Sequence, residues 1–175
     1  MIISLAEIMQ IPNASEQMEI PVEAEKIHVA GMDHKVMEKE PVKLTITNLG
    51  NRKVRLTGTG LIKLAIPCSR CLDDVTVAFP MEFDEEVDFQ KTEAERMEDL
   101  DEQVYIDGTN LDVERLIYDE ILLDFPLQTL CREDCKGICK VCGVNLNRET
   151  CSCDQTVMDP RMAAFQDIFD QFKEV

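Results

Sequence analysis

The chain has 175 residues, 45% hydrophobic and 5% aromatic, a length that can bury a real core in one domain with an appendage or in two small domains and that excludes a large multidomain machine. Its longest apolar runs span a few residues against the roughly 18 that suggest a membrane span, and Met1-Ile2-Ile3-Ser4 carries no basic region or cleavage site, so it reads as cytoplasmic and without membrane attachment. A formal charge of -17, from 18 basic and 35 acidic residues, on average opposes binding to a phosphate backbone.

In chain order, Ser4-Leu5-Ala6-Glu7 has the form of a capping box ahead of Ile8, Met9 and Pro12, which predicts a short N-terminal helix; Met1 to Leu5 could equally start a strand. Met18, Ile20, Val22, Ile27 and Val29 alternate as a strand pair or one bent strand. Val42, Leu44 and Ile46, then Val54, Leu56, Ile62, Leu64 and Ile66, keep apolar residues on even numbers across the turn Asn48-Leu49-Gly50-Asn51. Gly58 and Gly60 share that face, where a missing side chain suits a bulge, a barrel bend or close backbone approach. A partner strand follows on odd numbers, Val75 to Phe83, with Pro80 favouring an edge.

The stretch from Glu82 to Glu102 holds eleven acids against Lys91 and Arg96, a local net of -9, and from Asp84 onward it reads as a solvated loop. A helix is expected from about Asp112 to Asp124, with Leu111, Val113, Leu116, Ile117, Ile121 and Leu122 on an apolar face before Pro126. A last helix is expected from Asp159-Pro160, bearing Met162, Phe165, Ile168, Phe169 and Phe172. The fold class is therefore α+β: a curved antiparallel β-sheet or small barrel, followed by helices and a small cysteine zinc-binding segment. The expected organisation is a β-domain over 1–90 with a short N-terminal helix, an acidic linker over 91–106, and a helical and zinc-binding part over 107–175.

Eight cysteines in a cytosolic chain point to metal ligation before disulfides. Cys139-x2-Cys142-Gly143 has the zinc-knuckle form, in which backbone N–H groups point at the sulfurs and glycine takes the left-handed conformation after the second ligand. Four thiolates close a structural site, and spacing favours Cys135 and Cys153 over Cys131 and Cys151 as the other two. Cys68-Ser69-Arg70-Cys71, at the tip between the two best strands, is open to four readings: half of a second zinc site, lent ligands, a bare turn or a redox disulfide.

From Pro41 to Leu72 there is no acid, and Lys43, Arg52, Lys53, Arg55, Lys63 and Arg70 supply six positive charges. Strand parity puts Lys53, Arg55 and Lys63 on one exposed face, and with Arg70 at the tip they form the candidate RNA-binding set. No phosphate-binding loop, nucleophile elbow or zinc-protease signature is present, and His28 and His34 lie far upstream of the cysteines, so no enzyme and no small-molecule substrate is expected.

Ile66-Pro67-Cys68-Ser69-Arg70-Cys71-Leu72, then Asp119 to Pro126, then Cys135-Lys136-Gly137-Ile138-Cys139-Lys140-Val141-Cys142-Gly143-Val144-Asn145-Leu146-Asn147, and finally Asp159-Pro160-Arg161, resemble the YceD family from about residue 20 to the end. The resemblance implies a role in accumulation and processing of large-subunit (23S) ribosomal RNA, and bacterial versions are commonly encoded beside ribosomal protein L32. The expectation is a non-catalytic ribosome-biogenesis factor that binds this RNA or a precursor particle. The alternative is an acidic module that captures a basic ribosomal protein such as L32, and a thiol or metal sensor is a third reading.

Overall fold

Fifteen residues of alternating parity, Lys53–Pro67, build the strand around which everything else in the sheet is arranged. In this computed structural model, which describes residues 1–91, 95 and 103–154, the strands are β1 (Ile2–Ser4), β2 (Ser15–Ile20), β3 (Lys26–Val29), β4 (Met32–Lys39), β5 (Val42–Gly50), β6 (Lys53–Pro67), β7 (Asp74–Asp88), β8 (Ile106–Asp107) and β9 (Asn110–Asp112). An α-helix, α1, spans Val113–Leu123. By its internal contacts the chain divides into two units, Met1–Pro67 with Asp74–Thr129, and Cys68–Asp73 with Leu130–Val175.

In the first unit β6 pairs antiparallel with β7 along its whole length, from Lys53↔Asp88 to Pro67↔Asp74. Its other edge is shared, by β5 beside the first half and by β4 beside the second, and β2 and β3 continue the sheet outward. Even-numbered Val54, Leu56, Ile62 and Leu64 are fully buried and face odd-numbered Phe79, Met81, Phe83 and Val87. A one-residue slip would invert every one of these side chains, so burial of one face specifies the register. Gly58 and Gly60 serve close approach: added Cβ atoms would lie 2.2 Å from Phe83 Cζ and 2.8 Å from Met81 Cε. The described strands form two open sheets, β1-β9-β8 and the six-stranded sheet of β2 to β7, and β7 pairs only with β6, so the barrel alternative is not realised; Pro80 lies in that edge strand.

Two expectations change. Residues Asp84 to Asp88 are the end of β7, because Phe83, Val87 and Phe89 keep the buried parity; Asp84, Glu86 and Asp88 take the opposite face, and Glu85 shares the buried parity while staying partly exposed. Ser4-x-x-Glu7 forms no capped α-helix: Ser4 ends β1, Leu5 is completely buried and donates its N–H to Thr109 O at 2.9 Å, and only a single 3-10 turn, Ile8–Gln10, follows. The tertiary demand to bury Leu5 beside β9 overrides a local cap.

α1 matches its pattern except at Leu122, expected on the apolar face but exposed. Asp112 caps it by accepting N–H bonds from Glu114 and Arg115, an arrangement contributing about 1 kcal/mol. Val113, Leu116, Ile117 and Ile121 bury one stripe in the same core as the sheet, which places α1 with the β-rich unit. Phe125 follows, 6.0 Å from Phe79 and 5.2 Å from the buried His34 between ring centroids. The last expected helix, from Asp159, lies outside the described residues. Among the described residues no helix is long and apolar enough to cross a membrane.

Candidate metal centres

Both candidate centres belong to the second unit. Its first segment is the six-residue connection between β6 and β7. Cys68 N donates to Asp73 O at 2.8 Å and Leu72 N to Cys68 O at 3.0 Å, a tight turn that Leu72 completes with a φ of 63°. This turn holds Cys68 and Cys71 buried.

The second segment begins at Leu130 and brings Cys131 and Cys135 to that turn. Arg70 braces the pair: its guanidinium donates to the carbonyls of Glu133 at 3.3 Å and Cys135 at 3.0 Å, while its own carbonyl accepts from Ile138 N at 3.1 Å. Gly137, with φ of 77°, passes so near that a Cβ would sit 2.9 Å from Arg70 O. Sγ of Cys68 lies 3.9 Å from Sγ of Cys135, and Sγ of Cys71 lies 3.5 Å from Sγ of Cys131.

The chain then turns on Cys139-x2-Cys142. Gly143, at φ of 75°, closes the knuckle by donating to Cys139 O at 2.9 Å, and Val141 N donates to Cys139 Sγ at 3.4 Å. A return strand runs past it, with Cys139 N bonded to Val144 O and Ile138 bridged to Asn145, before Cys151 and Cys153 arrive. Each set of four, Cys68, Cys71, Cys131, Cys135 and Cys139, Cys142, Cys151, Cys153, has its sulfurs within 4.8 Å of one another.

Of the ligands expected from spacing, Cys139, Cys142 and Cys153 thus come together, with Cys151 as the fourth. Cys135 sits with the other group. The left-handed turn at Gly137 and the Ile138–Asn145 bridge separate Cys135 from Cys139. The pairing of Cys68 and Cys71 with the Cys131–Cys135 segment could be read only as one of several options, because it depends on where the hairpin tip lies in space.

The residues fit a metal. A tetrahedral ion with bonds of about 2.3 Å to sulfur requires S–S edges of about 3.8 Å, close to the 3.9 and 3.5 Å separations in the first group. The thiols also carry opposed tendencies. Burial resists ionisation of Cys68, yet N–H groups of Arg70, Cys71 and Cys131 bring it down to about 6. Cys139 is brought to about 6 by the N–H groups of Cys142 and Val141. Cys71 receives an N–H from Asp73, but burial and the sulfurs of Cys131, Cys68 and Cys135 push it up to about 12. The neighbouring Cys142 sulfur, with burial, does the same to Cys153. A bound cation would favour the ionised form of every sulfur around it. With every position taken by sulfur, such a site is closed and structural, with no place for a reacting water.

The candidate RNA-binding cations are engaged elsewhere. Lys53 Nζ contacts Glu86 at 3.0 Å and Asp88 at 3.5 Å, Arg55 Nε contacts Asp84 at 3.3 Å, and Lys63 Nζ contacts Glu38. Arg70 is the brace described above. The signal lies in the register: acids of β7 stand directly across from Lys53 and Arg55, and Glu38 of β4 stands across from Lys63. Of the histidines, His28 pairs with Asp33 at 2.7 Å and His34 is buried in β4, both in the first unit.

The family described as large ribosomal RNA subunit accumulation protein YceD matches residues 56–169. An uncharacterised protein of Mycobacterium tuberculosis strain H37Rv is 30% identical over 110 residues, covering 63% of this chain and 53% of the relative, so the chain spans about half the length of the mycobacterial proteins it matches. The uncharacterised protein YlbN of Bacillus subtilis is 26% identical over 173 residues, covering 98% of both. The chloroplastic large ribosomal RNA subunit accumulation protein YCED homolog 1 of Arabidopsis thaliana is 28% identical over 64 residues, 37% of this chain and 20% of the relative. No solved structure matches the chain.

Proposed function

The chain belongs to the YceD family, and from that premise we propose that it supports accumulation of large-subunit ribosomal RNA as a non-catalytic factor. In this reading its acidic sheet unit engages a basic protein of the precursor particle. The observation that carries the reading is electrostatic. The first unit holds 26 of the 35 acids against 11 basic residues, a formal -15, whereas the second unit carries only -2. Lys53, Arg55 and Lys63, the cations that would meet phosphate, already face carboxylates. A surface so charged attracts cationic proteins and speeds their encounter while repelling a phosphate backbone.

Like charges gather on one side of this unit. Burial, then Glu85, Asp124 and Asp119, raise the Glu120 carboxyl above its ordinary value, and burial does the same at Asp119. Opposite charge from a partner would relieve that repulsion. The four-cysteine groups serve as folding elements, and zinc is the ion their all-sulfur tetrahedral donor sets suit. Binding of ribosomal RNA itself through Lys53, Arg55, Lys63 and Arg70 is the competing reading, and it requires those ion pairs to open.

The test is complementation. In cells lacking the chain, the wild type should restore the ratio of large- to small-subunit ribosomal RNA. A variant with Glu85, Asp119, Glu120 and Asp124 changed to Asn or Gln should fold and fail. If that variant restores the ratio and the Lys53, Arg55, Lys63, Arg70→Gln variant does not, RNA contact is the mechanism.

A further inference from the structure

One side chain outside both cysteine groups touches the framework of the first and is carried on a loop closed by the second. Asn147 lies between Cys142 and Cys151 in sequence, so an ion held by Cys139, Cys142, Cys151 and Cys153 closes the loop Gly143–Thr150 at both ends. From that loop, Asn147 Nδ2 donates to Cys135 Sγ at 3.3 Å, and Asn147 Oδ1 accepts from Lys136 N and from the Arg132 guanidinium, each at 2.8 Å. Asn147 therefore grips the residues following Cys131 and Cys135 and hydrogen-bonds one sulfur of the first group.

Asn145 sets the pose of Asn147. Its Oδ1 accepts from Asn147 N at 2.9 Å and Asn147 Nδ2 at 3.0 Å, while its Nδ2 donates to Asp73 Oδ2 at 3.0 Å in the Cys68–Asp73 turn. Arg148 adds an ion pair to the same Asp73 at 3.0 Å. Both halves of the first group, the turn at 68–73 and the segment at 131–135, are tied to one loop.

We propose that the two groups bind their metal ions as a coupled pair, with Asn147 as the positioning residue through which an ion in the Cys139 group tightens the site of the Cys68 group. This rests on reading both groups as metal sites. The physical basis is the outer-shell effect: a donor to a ligating sulfur fixes its orientation and favours its thiolate, and losing such a partner typically weakens metal binding 10- to 100-fold. Asparagine suits the place because it donates to sulfur while accepting from an amide and a guanidinium; a carboxylate would set negative charge against a thiolate.

The experiment uses the full chain loaded with zinc, with metal counted by mass spectrometry under native conditions and release followed with a chromogenic chelator. Cadmium-113 substitution gives each site its own resonance. The wild type should hold two ions. Asn147→Ala should still hold two, release the Cys68-group ion about tenfold faster or more, and move that group's cadmium resonance while leaving the other in place. The Cys142→Ser/Cys153→Ser variant should retain one ion and release it with similar haste, and adding Asn147→Ala to it should change little further, because the loop is already open. Release from the Cys68 group at the wild-type rate in both variants overturns the coupling, as does an effect of Asn147→Ala that simply multiplies with that of the cysteine changes. A wild-type chain holding one ion or none overturns the two-site reading itself, and the coupling with it.

Discussion

A Cβ atom on Gly58 would lie 2.2 Å from Cζ of Phe83, its partner across the β6–β7 pair. The glycine is an absence into which a phenyl ring is packed, and Phe83 itself is 5% exposed. Gly58→Ala should therefore cost about 1–3 kcal/mol through overpacking. Phe83→Leu should recover part of that loss in the double variant, as contacting sites are not additive. Thermal unfolding of the four chains measures both effects; additive losses would mean that ring and glycine do not meet.

Asn48 supplies a second buried linkage. Its Nδ2 donates to Ile8 O at 3.0 Å and Ile11 O at 2.8 Å, and its Oδ1 accepts from Gly50 N at 2.8 Å, fastening the N-terminal 3-10 turn to β5. Asn48→Ala would strand these groups at a cost of about 1–3 kcal/mol. Amide exchange at Met9 and Ile11 should rise more than at Leu56 or Leu64.

Parity made β5, β6 and the first part of β7 legible in the sequence, because one buried face forces a period of two from Val42 to Phe83. The rest of β7 is hidden because its acids weigh as composition before Asp84, Glu86 and Asp88 are seen to alternate with Val87 and Phe89, and because Glu85 sits on the buried parity itself. The cysteines were legible as pairs, since Cys-x2-Cys is a local geometry. Which pairs meet is a matter of topology: the β6–β7 hairpin is what makes residues 68–73 part of a unit formed mainly by residues after 130. The charge of Lys53 and Arg55 was likewise read correctly along one strand and incompletely across two.

Those pairs predict a pH window. The Gln90 N–H, opposed by burial and aided by Lys53, holds the Asp88 carboxyl below its ordinary value, while the hydrogen bond that Lys53 donates to Glu86 and the charges of Glu86 and Asp88 hold Lys53 above its own. The Asp88 contribution is present above its unfolded value near 3.9 and is lost as pH falls through the lower folded value; that of Lys53 is present below about 10.4 and is lost as pH rises through the higher folded value. Lys53→Gln should lower Tm between these limits, and the difference from wild type should shrink toward both extremes. A difference independent of pH would assign the effect to packing of the lysine stem.

Glu120 should behave with the opposite sign. Its folded value is raised, by burial first, so the ionised form is disfavoured by folding, and the penalty is present above that value and relieved as pH falls through it. Glu120→Gln should raise Tm at neutral pH and leave it unchanged in acid. A lower Tm at neutral pH would contradict the repulsion on which the acidic surface is argued.

Chelation separates the two units. Closed thiolate sites couple metal binding to folding, so a strong chelator should raise amide exchange in residues 131–153 while β5 and β6, whose core is Val42, Leu44, Ile46, Val54 and Leu56, keep their protection. Equal loss of protection in both would make them one cooperative unit.

In the proposed function a basic protein, and not the RNA, is what the acidic unit touches. The most direct measurement is co-purification of the full chain with large-subunit precursor particles, before and after nuclease digestion, at low and raised salt. A cationic ribosomal protein should stay bound after the RNA has been digested, leave as salt is raised, and fail to bind the Glu85, Asp119, Glu120, Asp124 variant. Release of that protein on digestion, with undigested particles held by the wild type and lost by the Lys53, Arg55, Lys63, Arg70→Gln variant, would contradict it.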